Sequence, residues 1–136
     1  MRWTTDLGAG FTTPEVKPWL PIGPAEAPTV EEQRASTDSM LTLVRDLIQL
    51  RRSSEALHAG TYRAFQSPDG VFAYERVGSE DTFLVLLNMT QRLQHVPLPP
   101  HATQGTVVLS THPERAQDEV AHRVALHPDE GVMVRV

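Results

Sequence analysis

After Gly60 the sequence is divided by turn residues into seven short stretches that are apolar or alternate between apolar and polar residues. They are TYRAF, VFAYERV, TFLVLLNM, LQHVPL, GTVVLS, HRVALH and GVMVRV. Alternation and β-branched residues between Pro, Gly and Asp predict strands. TFLVLLNM is apolar throughout, which predicts a central strand covered on both faces. Seven strands with no intervening helix predict an antiparallel all-β domain, a sandwich or barrel, over residues 59–136.

The residues before these strands predict one amphipathic helix, over about residues 37–53. Apolar residues recur there at spacings of three and four: Met40, Leu41, Leu43, Val44, Leu47, Ile48 and Leu50. Ser36 or Thr37 is the expected N-cap, and a capping box from Thr29 to Glu32 predicts a shorter helical turn over residues 30–35. The apolar side of the longer helix is wide, so we expect it to be buried against a partner.

The first 28 residues are irregular yet aromatic, with Trp3, Phe11 and Trp19 set among glycines and prolines. Long loops in compact domains are usually functional or disordered, and aromatic residues argue against disorder. Two interpretations remain open. The rings either pin the loop against a neighbouring structure, which we favour, or contact a ligand.

Composition excludes several classes of function. The chain has 136 residues, 40% of them hydrophobic and 21% charged, which is typical of a globular domain. Its net charge of −5 and lack of a basic stripe argue against a nucleic-acid partner. The absence of cysteine excludes disulfides, thiolate zinc sites and thiol nucleophiles. No apolar run is long enough to span a bilayer, so we expect a cytoplasmic protein without a membrane partner.

Side chains able to perform catalysis are poorly arranged. The adjacent carboxylate pairs are Glu31 with Glu32, Asp118 with Glu119, and Asp129 with Glu130. Sequence neighbours point apart, so we interpret all six as exposed turn and cap residues. The histidines lack any spacing typical of metal ligands: they are His58, His95, His101, His112, His122 and His127. We therefore expect no catalytic residue, no metal and no cofactor.

The N-terminal segment nevertheless resembles a known family. "MRW", "AGFTT" and "KPWLP", in this order, resemble the loop after the eighth barrel strand of oligo-1,6-glucosidase-type α-glucosidases. These enzymes belong to the α-amylase superfamily (glycoside hydrolase family 13). The resemblance continues through TDSMLTLVRDLIQLRRSSEAL, GTYRAF, VFAYER, FLVLLNM and LHPDEGVMVRV, and so covers the whole chain.

The resemblance implies a fold class and an incomplete enzyme. Family members have a (β/α)₈ barrel whose fourth, fifth and seventh strands carry the Asp nucleophile, Glu acid/base and stabilising Asp. This sequence starts later, inside the family's RTPMxW loop motif, so no position inherits a catalytic role and Met1 is expected to be internal to a longer chain. The implied fold is an α+β fragment. Residues 1–58 are the loop and helix of the last barrel unit, and residues 59–136 are the C-terminal sandwich.

Two hypotheses for function follow. In the first, the chain is an inactive C-terminal portion of an enzyme acting on α-linked oligosaccharides, and its sandwich stabilises the barrel. The helix at 37–53 would then bind the missing barrel or a second copy, and Trp3 and Phe11 would lie nearest the glucoside. In the second, it is a standalone sandwich that binds carbohydrate or protein. That alternative needs an aromatic platform, whereas Phe72 and Tyr74, two residues apart on one strand face, are more typical of a core.

Overall fold

The computed structural model describes all residues, Met1–Val136. The chain divides into two compact units, Met1–Asp46 and Leu47–Val136. The helices are α1 (Val30–Ala35), α2 (Met40–Ser53) and α3 (Glu55–His58), with a 3₁₀ turn at Pro113–Arg115. The strands are β1 (Thr61–Ala64), β2 (Val71–Val77), β3 (Thr82–Asn88), β4 (Gln94–Pro97), β5 (Gln104–Ser110), β6 (Glu119–Ala121), β7 (Arg123–Leu126) and β8 (Gly131–Arg135). None of the helices is long and apolar enough to cross a membrane.

The predicted capping box of α1 is confirmed. The Oγ1 atom of Thr29 accepts the backbone N–H of Glu32 at 3.2 Å. The Oε2 atom of Glu32 accepts the backbone N–H of Thr29 at 2.7 Å. Two amide groups that the helix itself cannot pair are thereby satisfied, so α1 begins at the predicted residue.

The start of α2 is later than predicted. Neither Ser36 nor Thr37 caps it; instead Ser39 Oγ accepts the backbone N–H of Thr42 at 3.2 Å. Ser36 is occupied in ending α1, because its N–H donates to the carbonyl of Gln33 at 3.4 Å. Three hydroxyl residues lie close together here, and the sequence alone does not rank them as caps.

The eight strands form one antiparallel sheet in the order β1-β2-β3-β8-β5-β6-β7-β4. Its two ends fold over a shared hydrophobic core, which contains residues from β2, β3, β4, β5, β7 and β8. Leu84, Val96, Val124 and Val132 in this core are at most 1% exposed. The predicted antiparallel β-sandwich is therefore confirmed.

The central strand β3 is buried on both faces, as its apolar sequence predicts. All four residues 83–86 are buried. Leu84 and Leu86 belong to the sandwich core, whereas Phe83 and Val85 pack with α3 on the other face. A strand between two apolar layers has no polar side, which explains the unbroken apolar run.

The structure contains two short elements that the sequence does not predict, β6 and α3. Strand β6 has only three residues, too few to show alternation. It turns directly into β7 at His122, whose φ is 60°. Helix α3 has only four residues and no helical periodicity that a sequence could reveal. The sheet consequently has eight strands rather than seven.

Candidate functional site

A tight turn in the first unit brings the two candidate substrate contacts together. Trp3 donates its backbone N–H to the carbonyl of Ala9 at 2.9 Å, and Phe11 donates to that of Gly8 at 2.9 Å. Gly8, Ala9 and Gly10 have φ angles of 87°, 50° and 77°, a run that two glycines make feasible. The rings of Trp3 and Phe11 meet edge to face, with centroids 6.5 Å apart and planes at 72°.

Gly10 is required in this turn for a second reason. A Cβ atom at Gly10 would lie only 2.7 Å from the Cβ of Trp3. The turn is also tied to α1, because the N–H groups of Val30 and Glu31 donate to the carbonyls of Arg2 and Trp3 at 2.9 Å and 3.0 Å. These bonds satisfy first-turn amides of the helix and hold Trp3 in place.

All three loop aromatics reach the surface of the chain. Trp3 is 40% exposed, Phe11 is 57% exposed and Trp19 is 92% exposed. The structure therefore joins Trp3 and Phe11 into one exposed pair and leaves Trp19 apart from them. An exposed aromatic pair on a well-defined turn can stack against the apolar face of a ligand.

The sequence-adjacent carboxylates have local structural contacts. Glu32 caps α1, Asp118 Oδ2 accepts from Nε of Arg115 at 3.2 Å, and Glu119 lies exposed on β6. Glu130 is different. Its side chain is buried, with 1% of the residue exposed, so its interpretation as an exposed turn residue is wrong.

Glu130 is held in the sandwich by four hydrogen-bond contacts. Nη1 of Arg115 lies 2.8 Å and 2.7 Å from its two carboxylate oxygens. The hydroxyl of Ser110 donates to it at 2.8 Å and the backbone N–H of His127 at 2.7 Å. A carboxylate with its acceptor positions filled this way connects the surrounding segments of the sandwich. No sequence motif identifies this network, because its members lie up to 20 residues apart.

Three of the six histidines make side-chain contacts, in two separate places. The rings of His112 and His127 stack with centroids 5.4 Å apart and planes at 25°. Nε2 of His101 lies 2.9 Å from Oε1 of Glu75, a buried carboxylate on β2 that the sequence did not indicate. No three His, Asp or Glu side chains are grouped closely enough to hold a metal ion.

Helix α2 presents an uncovered apolar face. None of its residues is buried. Met40, Val44, Leu47 and Ile48 are 67%, 42%, 41% and 44% exposed, respectively. Their spacing of four, three and one places them on the same side of the helix. We call this side the apolar face of α2.

On the sandwich, the expectation of a core role is wrong for Phe72, whereas Tyr74 packs against the core cluster that includes α3. Phe72 is 50% exposed and Tyr74 is only partly buried. In β2 it is Val71 and Ala73, the alternate residues, that enter the sandwich core. Alternation fixes which residues share a face, but either face of VFAYERV is apolar enough to be the inner one.

Comparison with known proteins shows which enzymes the chain resembles. No protein-family model matches the chain. The chain is 30% identical over 129 residues to a glucan 1,6-alpha-glucosidase of Streptococcus pneumoniae, covering 94% of this chain and 23% of the relative. It is 27% identical over 138 residues to an oligo-1,6-glucosidase of Bacillus cereus, covering 100% of this chain and 24% of the relative. The isomaltulose synthase structure from Klebsiella sp. LX3 aligns with a TM-score of 0.84 at 28% identity, covering 98% and 24% of the two chains.

The fold is thus that of the C-terminal β-sandwich region of α-amylase-superfamily enzymes. The predicted resemblance to α-glucosidase-type members of glycoside hydrolase family 13 is confirmed. The chain spans less than a quarter of the length of the relatives it matches.

Proposed function

We propose that the chain is the C-terminal, catalytically incomplete portion of an α-glucosidase-type glycoside hydrolase. The similarity extends over 94% and 100% of the chain but only 23% and 24% of the relatives, which supports a part of a larger enzyme. The relatives are named for hydrolysis of 1,6-linked glucosides and for synthesis of isomaltulose. The substrate class proposed for the parent is therefore the α-linked oligosaccharide, without one fixed linkage.

In this proposal, residues 1–58 complete a catalytic barrel and residues 59–136 form a sandwich that stabilises it. The observation that carries the proposal is the apolar face of α2. Full burial of a large aliphatic side chain stabilises a protein or complex by about 1.5 kcal/mol or more. Four such side chains exposed on one helix therefore strongly favour association with a partner surface. A barrel wall of the parent enzyme would cover them.

Trp3 and Phe11 are proposed to line the substrate entrance of that barrel. Loops that follow barrel strands supply ligand contacts at the C-terminal face of such folds. The carboxylates that cleave the glycosidic bond would come from the barrel, since two carboxyl groups about 5 Å apart are needed for a retaining reaction. We propose a cytoplasmic location, in keeping with the absence of cysteine.

The same apolar face favours a second candidate, association of two copies of this chain. A helix face can pair with itself about a two-fold axis and bury the same residues on both copies. The two candidates differ in what they predict for activity, because a dimer of this chain would still lack the carboxylate pair.

A hybrid enzyme tests the first candidate. The C-terminal quarter of the Bacillus cereus relative is replaced by residues 1–136, and isomaltose hydrolysis and the thermal midpoint are compared with the relative lacking that quarter. We expect the hybrid to be more stable and more active, and the 136-residue chain alone to be inactive. Leu47→Asp should remove the gain, whereas Gln49→Asp, on the opposite side of α2, should leave it. A hybrid no better than the truncated relative would contradict the proposal.

A further inference from the structure

Three aromatic side chains form a continuous row on the outer face of β1 and β2. Phe72 and Tyr74 are neighbours on one face of β2, and their ring centroids are 5.4 Å apart. Tyr62 on β1 lies diagonally across from Tyr74, with centroids 5.1 Å apart. We call these three residues the aromatic row.

The two outer rings of the aromatic row are exposed in a sheet that otherwise buries its large apolar side chains, while Tyr74 between them is partly buried. Tyr62 and Phe72 are each 50% exposed, and no other large hydrophobic residue on the eight strands is comparably exposed. All four residues of the edge strand β1 are exposed. Uncovered aromatic rings of this kind mark binding surfaces.

We infer that the aromatic row is a second saccharide-binding surface, located on the sandwich, for a chain of α-linked glucose units. The rings supply apolar faces on which the C–H faces of pyranose rings can stack. Their spacing is comparable to the length of one hexopyranose unit. The hydroxyls of Tyr62 and Tyr74 make no hydrogen bond within the protein, so they are available to sugar hydroxyls. The choice of α-linked glucose units rests on the proposed function, whereas the surface itself is formed by residues of the sandwich alone and does not require the barrel.

The geometry of the row favours a flexible, curved glucan over a flat surface. The ring planes of Tyr62 and Tyr74 differ by 33°, and those of Phe72 and Tyr74 by 50°. Such a tilted row follows the twist of the two strands and cannot lie against a plane. It is also narrow. Protein interfaces usually have a wider apolar core with a polar rim, so three rings fit an oligosaccharide better than a folded partner.

The test measures retardation of the 136-residue chain in native gels containing dextran, an α-1,6-linked glucan, and titration with isomaltotriose. Each of Tyr62→Ala and Phe72→Ala should weaken binding about tenfold, which is the size of one aromatic stacking contact. Tyr62→Phe keeps the ring and removes only the hydroxyl, so it should weaken dextran binding less than Tyr62→Ala does. Circular dichroism and urea midpoints establish that each variant is folded.

Two control substitutions make the result specific. Leu93→Ala removes an apolar side chain that is 53% exposed elsewhere on the sandwich, and it should not alter retardation. Trp19→Ala removes an aromatic side chain that is 92% exposed and lies outside the aromatic row, and it should also leave retardation unchanged. The inference is overturned if dextran does not retard the chain, or if Tyr62→Ala and Phe72→Ala bind dextran like the native chain. Loss of self-association in these two variants, without an effect on dextran binding, would instead identify the row as a protein interface. The binding test measures no catalysis, so its result does not depend on whether the hybrid enzyme is active.

Discussion

Arg115 and Glu130 form a buried ion pair that fastens one end of the sandwich, with Nη1 of Arg115 2.7 Å from Oε2 of Glu130. Their side chains are 13% and 0% exposed. Removing one charge from such a pair leaves the other buried and uncompensated. We expect Glu130→Gln to lower the free energy of unfolding by about 3 kcal/mol, measured by urea denaturation.

The matched control for this prediction uses the same arginine. Asp118 also pairs with Arg115, at 3.2 Å, but its side chain is 49% exposed. Asp118→Asn should therefore cost less than about 1 kcal/mol, as is usual for exposed ion pairs. Equal effects of the two substitutions would show that burial does not distinguish the two contacts.

Thr29→Ala tests the cap of α1. The substitution removes the oxygen that accepts the N–H of Glu32, and we expect it to destabilise the first unit by about 1 kcal/mol. Hydrogen exchange at the Glu32 amide should become faster. Thr37→Ala provides the control, because the structure assigns Thr37 no capping role, and its exchange rates should match those of the native chain.

The capping box of Thr29 and Glu32 should also make the stability of α1 depend on pH. The hydrogen bond from the backbone of Thr29, followed by that from its side chain, lowers the pKa of Glu32 from the ordinary value of 4.5. A lowered folded-state pKa gives stabilisation that is present above the unfolded value and is lost as the pH falls through the folded value. We expect α1 to loosen below about pH 4.5.

An NMR titration of the Glu32 carboxyl carbon checks this prediction. Its midpoint should lie below the midpoint of the same group in the urea-unfolded chain, and Thr29→Ala should bring the two closer together. A midpoint in the folded chain equal to or above the unfolded one would contradict the assigned cause.

The sequence predicts some of these features much better than others. Local sequence patterns predict an element correctly where a single feature determines it. The capping box of Thr29 and Glu32 sets the start of α1. The apolar run around Leu84 predicts a strand buried on both faces. Glu130 could not be foreseen, because its burial depends on Arg115, brought to it by the pairing of distant strands. The inner face of β2 could not be chosen either, since Phe72 and Ala73 are both apolar.

The candidate contacts of the loop were identified only in part. The sequence singles out Trp3 and Phe11 as aromatic residues in a glycine-rich loop. Their edge-to-face contact depends on the left-handed backbone of the turn between them, which no residue type dictates. The sequence placed Phe72 and Tyr74 on one strand face but favoured a core role for them. The contact of Tyr62 with Tyr74 could not be foreseen, because they meet through strand pairing, at a sequence separation that carries no local signal.

The apolar face of α2 predicts association of the isolated chain. In sedimentation-velocity experiments at tens of micromolar, the native chain should form dimers or larger species. Leu47→Asp should weaken the association about tenfold or more, because a charge would enter the buried contact. Gln49→Asp introduces the same residue on the opposite side of the helix and should have no effect. A native chain that sediments as a monomer would contradict this prediction.

The most direct test of the central claim is to read the DNA immediately upstream of the Met1 codon. If the chain is part of an α-glucosidase-type enzyme, that DNA should encode a (β/α)₈ barrel of at least about 250 residues, in frame or broken by a single frameshift. The barrel should carry the Asp, Glu and Asp of its catalytic strands and end in Arg-Thr-Pro. A promoter and ribosome-binding site directly before Met1, with no barrel encoded nearby, would contradict the claim and leave the apolar face of α2 in need of another partner.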